Sequence, residues 1–277
     1  MLKQCDSRVL VFDSGVGGLS VLSAIQEQLP HLSLSYLMDT AAFPYGIRED
    51  EWLQSRILAV CKAAVDQYQP QLLVVGCNTA STLALATLRE HIDIPIVGVV
   101  PAIKVAAGLS KSRHIGLLAT PATVNGQYTQ HLINDFAADC QVQRFGSPLL
   151  VQMAEDWITQ GQSPDALYEH LTPWLQNAPD MSHIVLGCTH FPLLRPQLER
   201  LWPERCWIDS GNAIARRVAS LLTPASVVND AEPPSRQLIY TGEQPSTKLL
   251  EYLQNQRVHG EFETHPLQKV IHDEFFV

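Results

Sequence analysis

Short apolar runs rich in Val, Leu and Ile alternate along this chain with longer stretches in which apolar residues recur at helical spacing. The runs Arg8 to Phe12, Leu34 to Met38, Leu72 to Val75 and Ile96 to Val100 predict strands in the first half. Ile115 to Ala119, Val142 to Phe145, His183 to Leu186 and Cys206 to Ile208 predict strands in the second. Helices are predicted between them over Leu19 to Gln28, Trp52 to Tyr68, Ser81 to Glu90, Val124 to Ala138, Ser163 to Gln176 and Leu193 to Leu201. Strand and helix in strict alternation are the mark of βαβ units, so the expected class is α/β with mainly parallel sheets flanked by helices.

The two halves overlay at an offset of about 110 positions. Asp13 then falls near Thr120, Cys77 on Cys188, and the Gly98 region near Asp209. The offset is too long for a solenoid repeat, and the expectation is two similar lobes, related by a pseudo-twofold, with an active site in the cleft between them. The boundaries read 1–100 plus 212–277 for the first lobe and 101–211 for the second. The stretch after Gly211 adds a helix (Asn212 to Leu222), a Pro- and Ser-rich segment (Thr223 to Ser235), a strand-like Gln237 to Thr241 and a helix from Ser246 to Gln254. It has no counterpart in the second repeat and is expected to pack back on the first lobe.

Composition narrows the function classes. Hydrophobic residues make up 46% and charged residues 17% of the 277, which predicts a packed core and not disorder. The 19 basic and 28 acidic residues leave a formal charge of −9, with no basic stripe, so nucleic acid is not expected as a primary partner. No run approaches the ~20 apolar residues that span a bilayer, and Met1 to Arg8 is polar, unlike a secretory leader; no membrane association and a cytoplasmic location are expected. The six cysteines lack CxxC spacing, which argues against a disulfide framework and a zinc ribbon, and no metal is expected.

The candidate chemistry lies at strand ends, where open α/β sheets bind ligands. Val74-Val75-Gly76-Cys77-Asn78-Thr79 and Val185-Leu186-Gly187-Cys188-Thr189-His190 share an apolar strand, a glycine, a cysteine and small polar residues. An isolated free cysteine is most often a small buried hydrophobe, and Cys5, Cys61, Cys140 and Cys206, which lack a comparable context, are read as structural. Duplication sets Cys77 and Cys188 apart, because each sits where a helix N-terminus can favour a thiolate. Asp13 and His190 are the natural groups to tune the two thiols. Glu155 follows the strand that matches the one ending in Asp39, and pattern alone reads it as a solvated helix residue. Asp13-Ser14-Gly15-Val16-Gly17-Gly18 is a weak nucleotide signal, since Ser20 replaces the third glycine of G-x-G-x-x-G; a carboxylate ligand suits it better, beside the plainer reading of a glycine turn that starts a helix.

These motifs together resemble the glutamate racemases. The resemblance is carried by Val11-Phe12-Asp13-Ser14-Gly15-Val16-Gly17-Gly18-Leu19-Ser20-Val21, Phe43-Pro44-Tyr45-Gly46, Cys77-Asn78-Thr79-Ala80-Ser81, Gly98-Val99-Val100-Pro101-Ala102 and Gly187-Cys188-Thr189-His190-Phe191-Pro192-Leu193-Leu194. It runs in order from about residue 9 to Ala215. The related aspartate racemases place His and Glu where Ser81 and His190 stand here. The resemblance implies a cofactor-independent enzyme that interconverts L-glutamate and D-glutamate and supplies D-glutamate for peptidoglycan. It implies that Cys77 acts on D-glutamate and Cys188 on L-glutamate, assisted by Asp13, Glu155 and His190. Ser14, Tyr45, Gly46, Asn78, Thr79, Thr120, Thr123 and Thr189, with Asp13 and His190, are the implied substrate-binding residues. No lysine sits in a context for a Schiff base. Only seven residues precede the first predicted strand, where some relatives activated by a muramyl-peptide precursor carry a longer extension; such an activator and a homodimer both stay open.

Three other readings compete. A racemase or decarboxylase of the same superfamily acting on aspartate or an arylmalonate is separated by the residues flanking the thiols, which favour glutamate. A two-lobed solute-binding protein would need export. A hydrolase built on Cys188 and His190 leaves Cys77 without a purpose.

Overall fold

Ten strands and eleven α-helices lie in residues 9–222, 234–255 and 262–267, the parts of the chain that the computed structural model describes. In order they are β1 (Val9–Asp13), α1 (Leu19–Gln28), β2 (Leu34–Met38), α2 (Asp50–Tyr68), β3 (Leu72–Val75), α3 (Asn78–His91), β4 (Ile96–Gly98), α4 (Ile103–Leu109) and β5 (His114–Ala119). Next come α5 (Pro121–Asn125), α6 (Gln127–Phe136), β6 (Gln141–Gly146), α7 (Pro148–Gln160), α8 (Leu167–Gln176), β7 (His183–Leu186), α9 (Arg195–Leu201) and β8 (Cys206–Ile208). The last are α10 (Gly211–Leu221), β9 (Arg236–Tyr240), α11 (Thr247–Asn255) and β10 (Phe262–Pro266). Short 3-10 turns occupy Thr40–Ala42, Tyr45–Ile47 and Phe191–Leu194.

The chain divides into two units, Met1–Val99 with Gly211–Val277, and Val100–Ser210. The first holds a six-stranded sheet in the order β10-β9-β2-β1-β3-β4, and the second a four-stranded sheet in the order β6-β5-β7-β8. Every pairing is parallel. The cores β2-β1-β3-β4 and β6-β5-β7-β8 have one connectivity, so β3 and β7, the strands that lead into Cys77 and Cys188, are topological equivalents.

Parallel strands covered on both faces need unbroken apolar sequence. Val9 to Phe12 and Leu72 to Val75 meet that need and are fully buried. In the second unit, Ile115, Leu117, Ala119 and Val185 pack into one core, while Leu118, Ile184 and Leu186 pack into another. That period of two places the cores on opposite faces of the sheet. In the first unit, α2 turns Leu53, Arg56, Ile57, Val60, Cys61 and Ala64 inward, a stripe at helical spacing with one charged member.

The C-terminal stretch completes the first sheet. β9 pairs with β2 in register from Leu34↔Arg236 to Met38↔Tyr240, and α10 packs on α1. Its last described strand, β10, was not expected from the sequence. The Pro- and Ser-rich segment lies mostly outside the described residues, as do Cys5 and Arg8.

Several boundaries differ from expectation. The helix predicted over Val124 to Ala138 breaks at Gly126, whose extended backbone (φ −68°, ψ 144°) separates α5 from α6. The strand predicted to Val100 ends at Gly98, and the helix predicted from Ser163 begins at Leu167. Two helices, α4 and α7, were not expected from the apolar periodicity. For α7 the signals were present: Ser147 caps it by accepting from the Leu150 amide at 3.2 Å, Pro148 opens it, and Gly161 closes it in the left-handed region at φ 73°.

Candidate active site

In a sheet of this connectivity the strand order reverses between β1 and β3, and again between β5 and β7. Ligands collect at such points, beyond the carboxyl ends of the strands. Asp13 ends β1 and Cys77 follows β3 by two residues; Thr120 follows β5 and Cys188 follows β7 by two. The glycine before each cysteine does the same work in both places. Gly76 N–H donates to the Phe12 carbonyl at 2.7 Å, and Gly187 N–H to the Leu118 carbonyl at 2.8 Å. A Cβ at Gly76 would meet that carbonyl at 3.2 Å, and one at Gly187 would meet Leu117 Cδ1 at 2.9 Å. Each thiol is therefore carried on a backbone pressed against the neighbouring strand.

Cys77 is the buried N-cap residue of α3, and its thiol does not serve as the cap. The partial positive charge of the helix start favours its thiolate. Ser14 Oγ lies 4.0 Å from Cys77 Sγ and donates to Asp13 Oδ1 at 3.2 Å. With the hydroxyl proton committed to the carboxylate, the oxygen is left to accept from the thiol. Asp13 also takes the Gly15 amide at 3.1 Å, so the glycine turn binds its own strand-end carboxylate. Gly18 is required there, because a Cβ would stand 2.8 Å from Asp13 Cβ and 2.9 Å from the Tyr36 ring.

Cys188 is set differently. A turn and the 3-10 segment Phe191–Leu194 precede α9, so no α-helix starts at this thiol, contrary to the expectation from its position after β7. Its polarising group is an imidazole. Cys188 Sγ lies 3.7 Å from His190 Nδ1, and His190 Nε2 lies 2.7 Å from Glu155 Oε1. Cys188 and His190 are buried, and the Glu155 side chain is 12% exposed. Burial alone pushes the His190 pKa down, but the hydrogen bonds to Cys188 and Glu155, with the charges on both, outweigh it and hold His190 well above its ordinary value. The array favours the imidazolium form of His190. Glu155 is thus no solvated helix residue; α7 carries it to the ring.

The hydroxyls of Thr120 and Thr123 are 3.0 Å apart, with Thr120 Oγ1 capping α5 by accepting from the Thr123 amide at 3.3 Å. Asn78 and Thr189 are buried beside their cysteines in the chain, Thr79 is half-buried, and a Cβ at Gly46 would meet nothing within 4 Å. Tyr45 is committed within the protein, its hydroxyl donating to Asp39 Oδ2 at 2.8 Å. Ser81, weighed in the sequence as a substrate discriminator, is structural. Its hydroxyl donates to the Val75 carbonyl and accepts from the Val99 amide, each at 3.0 Å, tying β3 to the chain after β4.

Asp39 and Arg56 were not nominated from sequence. Arg56 Nη2 reaches Asp39 Oδ1 at 2.7 Å and Nε reaches Oδ2 at 3.0 Å, both side chains being buried. A charged residue on the apolar stripe of α2 was the available signal. Cys61 lies in the same core, where burial and the Asp39 charge push its thiol up and keep it inert. Among the described residues, no cluster of His, Cys, Asp and Glu has metal-site geometry, and no helix is long and apolar enough to cross a membrane.

A sequence profile of the Asp/Glu/hydantoin racemases matches residues 17–218. The chain is 51% identical over 221 residues to a glutamate racemase of Shewanella loihica, covering 79% of this chain and 82% of that one. Its fold matches that of Escherichia coli glutamate racemase, solved in complex with L-glutamate and the activator UDP-MurNAc-Ala, with a TM-score of 0.83 and 43% identity over 93% of this chain and 96% of that one. A glutamate racemase isoform from Bacillus anthracis matches with a TM-score of 0.79 and 26% identity, over 96% and 99% of the two chains.

Proposed function

Because the chain belongs to the Asp/Glu/hydantoin racemase family, and within it to the glutamate racemases, we propose that Cys77 and Cys188 interconvert the enantiomers of glutamate as a pair of opposed bases. The observation that carries this reading is the duplication itself: two thiols at equivalent strand ends, each on a glycine pressed to the neighbouring strand, with unlike tuning groups.

The chemistry needs two groups. From D-glutamate, the Cys77 thiolate takes the Cα proton, and the electron pair of that bond is left on a planar carbanion. The Cys188 thiol returns a proton to the opposite face, giving L-glutamate, a Cys77 thiol and a Cys188 thiolate. L-glutamate runs the sequence backwards. The helix start opposes the charge on Cys77, the Ser14 oxygen accepts from that thiol once it is protonated, and the His190 imidazolium opposes the charge on Cys188, with Glu155 holding the ring. The backbone and hydroxyl groups of Ser14, Gly46, Asn78, Thr79, Thr120, Thr123 and Thr189 are assigned to the substrate's carboxylates and ammonium. No cofactor takes part, and the D-glutamate formed supplies peptidoglycan in the cytoplasm. A muramyl-peptide activator and a homodimer complete the reading.

The test is exchange in heavy water without added pyridoxal phosphate. Wild-type protein is expected to label Cα of either enantiomer and to invert it. Cys77→Ala and Cys188→Ala are each expected to abolish inversion; undiminished turnover in either sinks the two-base assignment. Turnover of aspartate but not glutamate transfers the chain to a different substrate. Adding UDP-MurNAc-Ala is expected to raise turnover, and sedimentation at assay concentration reports the dimer.

A further inference from the structure

The end of β9 grips the segment that follows its neighbour β2, in the sheet whose third strand leads into Cys77. Thr241 N–H donates to the Met38 carbonyl at 3.0 Å and so extends the β2–β9 ladder by one step. Its hydroxyl accepts from the Ala41 amide at 3.1 Å and donates to Asp39 Oδ1 at 2.5 Å, while its carbonyl accepts from the Thr40 hydroxyl. The next residue, Gly242, adopts φ +71°, and a Cβ there would stand 3.2 Å from Ala41 N, Cα and Cβ. Three consecutive residues after β2 are thus held by two consecutive residues after β9.

Asp39 passes this hold onward. Its amide donates to the Asp13 carbonyl at 2.9 Å, and its carboxylate receives Arg56 twice and the Tyr45 hydroxyl once, all in the buried interior. Tyr45 lies in one core cluster with Cys77. Burial first, and then the charges of Asp39 and Cys77, push the Tyr45 phenol well above its ordinary pKa, so it stays a neutral donor with its proton committed to Asp39. The carboxylate accepts from Thr241, Arg56 and Tyr45 at once. Remove the Thr241 hydroxyl, and both the Ala41 amide and one carboxylate oxygen lose a partner.

We propose that Thr241 is a positioning residue for the Cys77 half of the racemase, acting through Asp39 on Tyr45 and on the strand end that bears Asp13. The inference rests on the two-base reading above. It gives the C-terminal stretch a part in the reaction and not only in the sheet.

Thr241→Val and Thr241→Ser separate position from fold. T241V is expected to lower kcat/KM about tenfold, and T241S, which keeps the hydroxyl, to stay near wild type. The decisive readout is the primary isotope effect with 2-deuterated substrates. A raised barrier at Cys77 alone makes C–H cleavage of D-glutamate more rate-limiting and that of L-glutamate less so. The isotope effect on kcat/KM therefore rises for the D enantiomer and falls for the L enantiomer in T241V. Isotope effects that are unchanged, or that move together, overturn the proposal. Should T241V not fold, Tyr45→Phe breaks the other arm of the same carboxylate and must give the same divergence; its absence overturns the proposal equally. A wild-type protein that fails to racemise glutamate strikes the two-base reading itself, whereas normal wild-type turnover with silent variants strikes the Thr241 assignment alone.

Discussion

His190 bridges Glu155 and Cys188, one ring nitrogen 2.7 Å from the carboxylate and the other 3.7 Å from the sulfur. Because the carboxylate fixes one end of the ring, the other end can hold its proton toward the thiol. Cys77 has a helix start in that role, so the two thiols are equivalent in topology and unlike in electrostatics.

Glu155→Gln keeps a hydrogen-bond acceptor and removes the charge. The pKa of His190 is expected to fall, moving the alkaline limb of the kcat/KM profile to lower pH. Folding raises this pKa, so the imidazolium stabilises the fold fully below the unfolded value of about 6.5, and that share is lost as pH rises through the folded value. E155Q should accordingly cost about 1–3 kcal/mol near pH 6 and progressively less at alkaline pH, as read by urea unfolding at a series of pH values.

Ser147→Ala removes the cap of α7 and the 2.7 Å contact between Ser147 Oγ and His170 Nε2. A loss of about 0.5–2 kcal/mol is expected in thermal unfolding. The helix that fraying affects carries Glu155, so the His190 resonance should titrate at lower pH in the same variant. An unmoved His190 titration would detach the cap from the site.

Arg56→Met leaves Asp39 buried without its cation, and a loss of about 3–5 kcal/mol is expected from denaturant unfolding. Asp39→Asn combined with Arg56→Met removes both charges and should lose less than R56M alone. Equal losses would show that the pair acts through packing.

Ser81→His installs the residue that aspartate racemases place here. Ser81 is nearly buried, and its hydroxyl joins Val75 to Val99 beside the Leu85 side chain that already crowds Gly98. The variant is expected to lose about 1–3 kcal/mol by overpacking and to gain no aspartate turnover. A substrate panel with a melting curve checks both parts.

The alternation of apolar runs exposed the strands because parallel strands buried on both faces admit little else. Cys77 and Cys188 were legible for another reason: repetition marked them, not their local surroundings. Glu155 shows where reading along the chain stops. Its helix was announced by Ser147, Pro148 and Gly161, yet its value lies in a contact with His190, 35 residues further on. Thr241 meets Asp39 across 202 residues and follows no local rule at all. The split at Gly126 was missed because the apolar period runs through it, although glycine was there to break it.

β9 and the β2 edge it covers are separated by the whole of the Val100–Ser210 unit. On the ribosome, that unit is complete and free to fold while Leu34–Met38 still waits for Arg236–Tyr240. Throughout that interval β2 presents a buried-type strand with one side unpaired, which is an invitation to strangers of like sequence. A chain ended at Ser210 would therefore hold the whole sequence of the second unit while the β2 edge of the first sheet stayed open, and a chaperone that shields strand edges would find its client there.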